Sequence, residues 1–125
     1  MKYLQLLSVF LLLVSSQTIA SKSCVLPVPD GGDIEPTQPS LTGKVISVSS
    51  KSVSVKPYRT KKVVRISITR DTSLFTVYGG GISSTDLRNG QHVLIWLKHC
   101  AKPSGRSNQA SVVQLCSLAA EPCPE

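Results

Sequence analysis

Acidic residues are scarce in the central part of this chain. Between Lys44 and Arg106 only Asp71 and Asp86 carry a carboxylate, and both lie in sequence typical of turns and caps. Isolated carboxylates of this kind do not provide a general acid–base pair. The Gly-x-Ser-x-Gly and His-Glu-x-x-His motifs are also missing, which argues against the hydrolytic chemistry that they support. We therefore predict that the chain is not an enzyme, and a small hydrolase with dispersed residues is the least favoured alternative.

Histidine is also rare, and the spacing of His92 and His99 argues against a metal site. The two residues are an odd number of positions apart on one predicted strand, so they face opposite sides of it. They could not chelate one ion without a bulge. The same alternation separates His99 from Cys100 and argues against a Cys–His nucleophile pair. The sequence therefore predicts no cofactor and no bound metal.

Long apolar runs are absent except at the N-terminus. The run Leu4–Val14 follows Lys2 and precedes the small-residue ending Thr18-Ile19-Ala20. This order is typical of a secretory signal peptide, and the run is about half the length of the roughly 20 residues that a membrane span needs. We therefore predict a signal peptide over residues 1–20, cleavage after Ala20, no membrane span, and a secreted or periplasmic location.

The four cysteines all follow the predicted cleavage site and indicate disulfides, because exported chains with an even cysteine count usually form them. Each bridge would contribute about 2–4 kcal/mol to a small domain. On the predicted final hairpin Cys100 and Cys116 are roughly 23 Å apart, which is beyond the reach of a disulfide. We favour Cys24–Cys100 together with Cys116–Cys123. The swapped arrangement, in which Cys24 joins Cys116 and Cys100 joins Cys123, stays open because the long N-terminal tail could wrap around the domain.

Lipidation is an alternative use of Cys24. The preceding residues Ser21-Lys22-Ser23 match a bacterial lipobox poorly, because Lys22 is charged. Lipidation would also leave an odd number of cysteines in the rest of the chain. A disulfide is therefore the favoured role of Cys24.

The chain after the signal peptide is predicted to be one all-β domain between two tails. Residues 21–41 are rich in proline, glycine and acids, a composition that opposes regular structure, and residues 119–125 form a short second tail. Within residues 42–118, alternation of apolar and polar residues indicates strands. Three strands in a meander and two after an irregular connection favour a five-stranded OB-like barrel, with a small sandwich as the alternative. The predicted strands cover residues 45–48, 52–56, 62–69, 91–100 and 109–118. We also predict a bulge or bend at Gly43, a short extra strand over 74–77 and a helical turn over 84–90.

Four short segments carry a further pattern: Thr42–Val48, Ser52–Val55, Asp71–Phe75 and Asp86–Val93. The first opens with Gly-x-Val, and the last contains Asp-Leu-x-x-Gly-x-x-Val before a late strand. Over residues 41–117 this pattern resembles a family of exported bacterial small β-barrel domains of unknown function. The resemblance implies the fold and an envelope location, and it implies no catalytic residues. The cysteines and the acidic tail depart from the family pattern.

Positive charge is concentrated in the predicted domain. The chain has a formal charge of +7, and OB topology would bring the loop after the second strand beside the loop after the fourth. We call the resulting cluster the basic rim. A cationic rim with one aromatic residue is suited to an anionic polymer or envelope component, whereas the alternative is a solvated hairpin whose lysines discourage edge pairing. The basic rim comprises Lys56, Tyr58, Arg59, Lys61, Lys62, Lys102 and Arg106, with Lys44 at its margin.

Trp96 is the single tryptophan of the chain, and it lies on the strand face opposite Val93. We expect residues 21–41 or 79–87 to cover it. An uncovered Trp96 would instead mark a patch for a protein partner, which is the basis of a second hypothesis, an inhibitor or accessory subunit. The first hypothesis is an exported, non-catalytic binding module for an anionic partner, with the acids of the first tail, Asp30, Asp33 and Glu35, close enough to compete. The sequence leaves the oligomeric state open.

Overall fold

The computed structural model describes residues 23–105 and 107–124. Its regular structure consists of strands and two short 3₁₀ turns, at Ser84–Asp86 and Lys98–Cys100, so the predicted all-β class is confirmed. The predicted signal peptide and its cleavage site lie outside the described residues. The strands are β1 (Leu41–Val48), β2 (Ser52–Pro57), β3 (Val64–Ser67), β4 (Ser73–Thr76), β5 (His92–Leu97) and β6 (Ala110–Leu115).

The strands form one open sheet in the order β3-β2-β1-β5-β6-β4. All neighbours are antiparallel except β4 and β6, which pair in parallel. The predicted closed five-stranded barrel is therefore not confirmed. A closed barrel would require β3 to pair along β6, but β4 occupies that edge of β6, and β3 touches the start of β6 through a single parallel bridge between Ser67 and Gln109.

The irregularity in the first strand lies after Gly43 rather than at it. Gly43 lies opposite Pro57 in a regular pair, and the register shifts between Val45 and Ser47, so the predicted bulge or bend is not at Gly43. The glycine serves a different purpose. A Cβ at position 43 would lie 2.8 Å from the carbonyl carbon of Lys56 and 2.9 Å from Cα of Pro57. Only a residue without a side chain allows β1 and β2 to approach this closely.

Apolar side chains cover both faces of β5. Val93, Ile95 and Leu97 point into the main core, as their alternation predicts. Trp96 points to the other face and packs with Phe75 of β4 and Val112 of β6. A sheet that is apolar on both faces needs a cover on its second face, because exposed apolar area of this size costs free energy.

The N-terminal segment provides this cover. The indole Nε1 of Trp96 donates to the carbonyl oxygen of Thr37 at 2.6 Å, and the Leu97 amide donates to Ser40 Oγ at 2.9 Å. Val25 and Thr37 exchange backbone and side-chain hydrogen bonds, which closes the segment into a loop. The predicted cover of Trp96 by the first tail is therefore confirmed, and Trp96 is only 3% exposed.

Both favoured disulfides are present. Cys24–Cys100 joins the N-terminal segment to the turn after β5, with a Cα–Cα distance of 5.5 Å. Cys116–Cys123 joins the end of β6 to the C-terminal segment, with a Cα–Cα distance of 4.6 Å. The swapped pairing is therefore wrong, and the disulfide leaves no free thiol at Cys24.

The turn before β5 depends on two polar side chains. The Asp86 carboxylate accepts from the Ser83 amide at 2.8 Å in a capping box, which confirms the predicted capping role of Asp86. The Gln91 side chain is buried and donates to the carbonyl oxygens of Asp86 and Leu118. It therefore ties the turn to the C-terminal segment.

We expect Gly43→Ala to lower the free energy of unfolding by about 1–3 kcal/mol, because the new methyl group meets the backbone of β2, which cannot move aside cheaply. Urea denaturation measures the change. Gly81→Ala is the matched control, since a Cβ there meets no atom within 4 Å. Equal effects of the two substitutions would contradict the close approach of β1 and β2.

The two disulfides should contribute unequally to stability. Cys24–Cys100 spans 76 residues and Cys116–Cys123 spans 7, so loop-closure entropy predicts losses of about 4 and about 2 kcal/mol. Double alanine substitution of each pair, followed by urea denaturation, tests this order. A larger loss from the Cys116/Cys123 pair would show that chain entropy does not decide the contributions.

Candidate functional site

A cleft lies between the two loops that flank the gap between β3 and β6. The β2–β3 loop forms one wall, and the loop between β5 and β6 forms the other. Two adjoining cavities of about 570 and about 520 Å³ share Thr60, Val64 and Pro103, and we call them together the seam cleft. The cleft exists because the sheet stays open at this point.

Three residues of the predicted basic rim line the seam cleft. Arg59, from the β2–β3 loop, and Lys102, from the loop between β5 and β6, both line the larger cavity. Leu41 and Pro57 line it as well. Lys62 lines the smaller cavity. The larger cavity therefore combines apolar lining residues with one positively charged residue from each loop.

The seam cleft is positive without a compensating acid among its described lining residues. The N-terminal segment contributes Gln38 and Pro39 to the larger cavity, whereas the expected competitors Asp30, Asp33 and Glu35 are not among the lining residues. The hypothesis that these acids occupy the basic rim is therefore not supported.

The other residues of the basic rim lie elsewhere. Lys56 and Tyr58 are exposed on the outer face of the sheet beside β1, and Lys61 is exposed in the β2–β3 loop. Lys56 pairs directly with Lys44. Arg106 lies outside the described residues.

Arg65 lines the smaller cavity and was missed by the sequence analysis. Its Nε donates to Ser52 Oγ at 3.2 Å, which holds the guanidinium towards β2. The sequence signal that could have found Arg65 is the alternation of β3, in which Arg65 lies between the apolar residues Val64 and Ile66. Only the fold shows that β3 is an edge strand.

Tyr58 stacks on His92 on the outer face of the sheet. The ring centroids are 5.7 Å apart with an interplanar angle of 29°, and the Tyr58 hydroxyl hydrogen-bonds to His92 Nδ1. Burial raises the pKa of the Tyr58 hydroxyl above its ordinary value of 10.0. Lys44 pairs with both Lys56 and His92 in neighbouring strands, so a second positive surface lies outside the seam cleft.

Backbone strain is concentrated in the two loops beside the seam cleft. Lys61, His99 and Cys100 have φ values of 55°, 59° and 53°. A left-handed backbone costs roughly 1–2 kcal/mol in a residue that is not glycine, and such residues cluster at functional sites. In the described part of the chain, all three positive-φ residues other than glycine belong to these loops.

The left-handed backbone also shows that the predicted fourth strand, residues 91–100, ends earlier than expected. β5 ends at Leu97, and His99 lies in a 3₁₀ turn with a left-handed backbone, which cannot continue a strand. The argument that His92 and His99 occupy opposite faces of one strand is therefore wrong. In residues 23–105 and 107–124, no group of three or more His, Cys, Asp or Glu side chains could hold a metal ion.

The predicted interaction patch at Trp96 is not exposed. Its side chain is buried beneath the N-terminal segment, between Phe75 and Thr37. A partner could contact Trp96 only after this segment had left the sheet.

Comparison of the chain with protein-family models, curated proteins and solved structures gave no match. The candidate site therefore rests on the residues and geometry of the chain itself. In the part of the chain that the structure describes, no helix is long and apolar enough to cross a membrane.

The raised pKa of Tyr58 predicts a loss of stability at high pH. The unfolded chain releases the hydroxyl proton near its ordinary pKa of 10.0, whereas the folded chain holds it to a higher pH. The contribution of the Tyr58 hydroxyl to the free energy of unfolding is therefore fully present below pH 10.0. It disappears as the pH rises through the pKa of Tyr58 in the folded chain. Urea denaturation across this range should show a smaller loss in Tyr58→Phe. Tyr78→Phe is the control, and an unchanged pH dependence in Tyr58→Phe would contradict the assignment.

Proposed function

We propose that this protein is an exported, non-catalytic binding module that engages an anionic partner through the seam cleft. The observation that carries the proposal is the convergence of Arg59, Lys62 and Lys102, from two separate loops, on one concave surface. A cleft lined by one sign of charge focuses the field and attracts the opposite charge more strongly than a flat surface does.

Two further observations support a binding site over a solvated hairpin. A solvated hairpin needs no concave surface, yet the two loops line two adjoining cavities. Leu41 and Pro57 also line the larger cavity, and they offer a ligand apolar contact area in addition to the positive charge, as is usual for ligand pockets.

Export is supported by the covalent structure. Disulfides persist in oxidising compartments, and this chain contains two. The N-terminal pattern of Lys2 and an apolar run provides the secretion signal in this proposal. An anionic partner would then be met in the envelope or outside the cell.

The proposed relation to OB-like barrels and to the exported β-barrel family rests on strand order. β1, β2 and β3 form a meander, and β5 returns beside β1. The single parallel bridge between Ser67 and Gln109 lies where a closed barrel would join β3 to β6. We therefore propose that the fold is an OB-like barrel opened at this join.

The proposal predicts that retention on heparin depends on the position of the charges rather than on their number. The triple variant Arg59→Ser/Lys62→Ser/Lys102→Ser should elute from heparin at clearly lower salt than the unaltered mature protein. On DNA, the loss of three phosphate contacts should reduce the slope of log affinity against log salt by roughly 2–3.

The matched control is Lys51→Ser/Arg70→Ser/Arg88→Ser, which removes the same charge. Lys51 and Arg70 line a different cavity, of about 500 Å³, so the control also tests whether any basic cavity suffices. Equal losses in the two variants would show that binding reports net charge only, and the seam cleft would not be the site.

A further inference from the structure

A row of basic side chains crosses the outer face of the sheet. Lys44 of β1 lies directly opposite Lys56 of β2 and directly opposite His92 of β5, so the three side chains share one face. Arg65 of β3 pairs with Ser54 of β2, which places it diagonally next to Lys56, at about 7–8 Å. The four basic residues lie on four adjacent strands and span about 14 Å across the sheet. We call Lys44, Lys56, Arg65 and His92 the outer row.

The outer row has no acidic partner on its own strands. β1, β2, β3 and β5 contain no aspartate or glutamate. Asp30 of the N-terminal segment follows Pro29, whose carbonyl oxygen would lie 2.5 Å from a Cβ at Gly79, in the loop after β4 at the opposite edge from β3. Like charges directly opposite each other in neighbouring strands destabilise a sheet. A bound anion would therefore relieve the repulsion between Lys44 and Lys56.

Hydroxyl groups surround Arg65 at one end of the outer row. Arg65 and four serines line a cavity of about 250 Å³, which we call the serine cavity. Arg65 Nε donates to Ser52 Oγ at 3.2 Å, and Ser52 Oγ lies 2.7 Å from Ser49 Oγ. The other two serines, Ser47 and Ser54, pair across β1 and β2. A guanidinium beside several hydroxyls offers the hydrogen-bond donors that the oxygens of a sulfate or phosphate group accept.

Arg65 also connects the outer row to the seam cleft. It lines both the serine cavity and the smaller cavity of the seam cleft, which Lys62 lines as well. Because β3 is an edge strand, the positive surface continues from the seam cleft around this edge onto the outer face. The two positive surfaces therefore form one path, which is long enough for a chain rather than a single small anion.

The side chains beside this path favour a glycan over a nucleic acid. Sites for single-stranded nucleic acids stack successive bases on aromatic side chains. Among the aromatic residues that the structure describes, Tyr58 lies beside the outer row and stacks on His92, whereas Tyr78 follows β4, and Phe75 and Trp96 are buried. One ring does not provide a stacking platform. Hydroxyls and separate positive charges, in contrast, match the sulfate and hydroxyl groups of a sugar chain.

We propose that the anionic partner is a linear sulfated glycan, which lies in the seam cleft, passes Arg65 at the edge of β3 and continues along the outer row. One sulfate group lies between Lys44 and Lys56, where it relieves their repulsion. Another meets Arg65 and the hydroxyls of the serine cavity. This inference rests on the proposed function, and it names the chemical class of the ligand and a second surface that the ligand contacts.

The test compares a heparin tetrasaccharide with a heparin dodecasaccharide on the mature, oxidised protein by calorimetric titration at one salt concentration. We expect the longer chain to bind at least about tenfold more tightly, because it joins two surfaces. The variant Lys44→Gln/Lys56→Gln, which keeps the side-chain length, should lose most of this gain. NMR should show shifts of the Lys56 amide and the His92 ring with the longer chain.

The matched control is Lys51→Gln/Arg70→Gln, which removes the same charge from a different cavity and should keep the gain with chain length. Urea denaturation checks that both variants fold. We expect Lys44→Gln/Lys56→Gln to be at least as stable as the unaltered protein, because the repulsion between the two strands is gone. Weaker binding without weaker folding distinguishes a binding surface from a structural one.

The outcomes separate this inference from the proposed function. If the Lys44/Lys56 variant keeps the gain while the Arg59/Lys62/Lys102 variant loses heparin, the outer row is overturned and the seam cleft stands. Losses confined to the Lys44/Lys56 variant overturn the seam cleft and the continuous path, and unchanged binding in both variants overturns both proposals. An oligothymidylate of equal charge that competes as well as the dodecasaccharide overturns the sulfated glycan. Losses in both variants, with weaker competition by the oligonucleotide, support both proposals.

Discussion

The Cys24–Cys100 disulfide is the constraint on which the rest of the structure depends. It holds the N-terminal segment at the end of β5, from where the chain passes over Trp96 and continues into β1. Without this tether the cover of the second apolar face would be held only by non-covalent contacts, such as the hydrogen bonds of Trp96 and Leu97 with the segment. The same bond lies in the strained turn at His99 and Cys100, and Cys100 lines the larger cavity of the seam cleft. One covalent link therefore connects the cover, the turn and the candidate site.

The candidate site arises from an incomplete sheet. Strand β4 pairs with β6 in parallel and leaves β3 with one bridge to Gln109. The loops at this gap therefore line a cleft where a closed barrel would have paired strands. The positive charges are carried by those loops, where they are exposed to solvent and to ligands. An open edge, a cavity and a concentration of one sign of charge coincide at one place, and this coincidence is the physical basis of the proposed binding function.

Much of the fold could be predicted from local pattern. Alternation identified β2 and β5 and the inward faces of Val93, Ile95 and Leu97, because a strand has a fixed period of two. Distance along the predicted hairpin argued against a Cys100–Cys116 bond, whereas the structure decided between the favoured and the swapped pairing. The end of β5 could not be predicted, since the left-handed backbone at His99 reflects the turn that brings Cys100 to Cys24. The position of β4 beside β6 could not be predicted either, because the pairing of parallel strands leaves no pattern in the local sequence.

The sequence by itself determined the strand-rich class, the excess of positive charge, the number of cysteines and the scarcity of carboxylates. These properties depend on composition and on spacing between near neighbours. Only the tertiary structure decided that Arg59, Lys62 and Lys102 converge on the seam cleft while Lys56 and Tyr58 lie on the sheet face. It also decided that Trp96 is buried. The reason is that loop positions depend on which strands pair and which edge stays open, and pairing joins residues far apart in the chain.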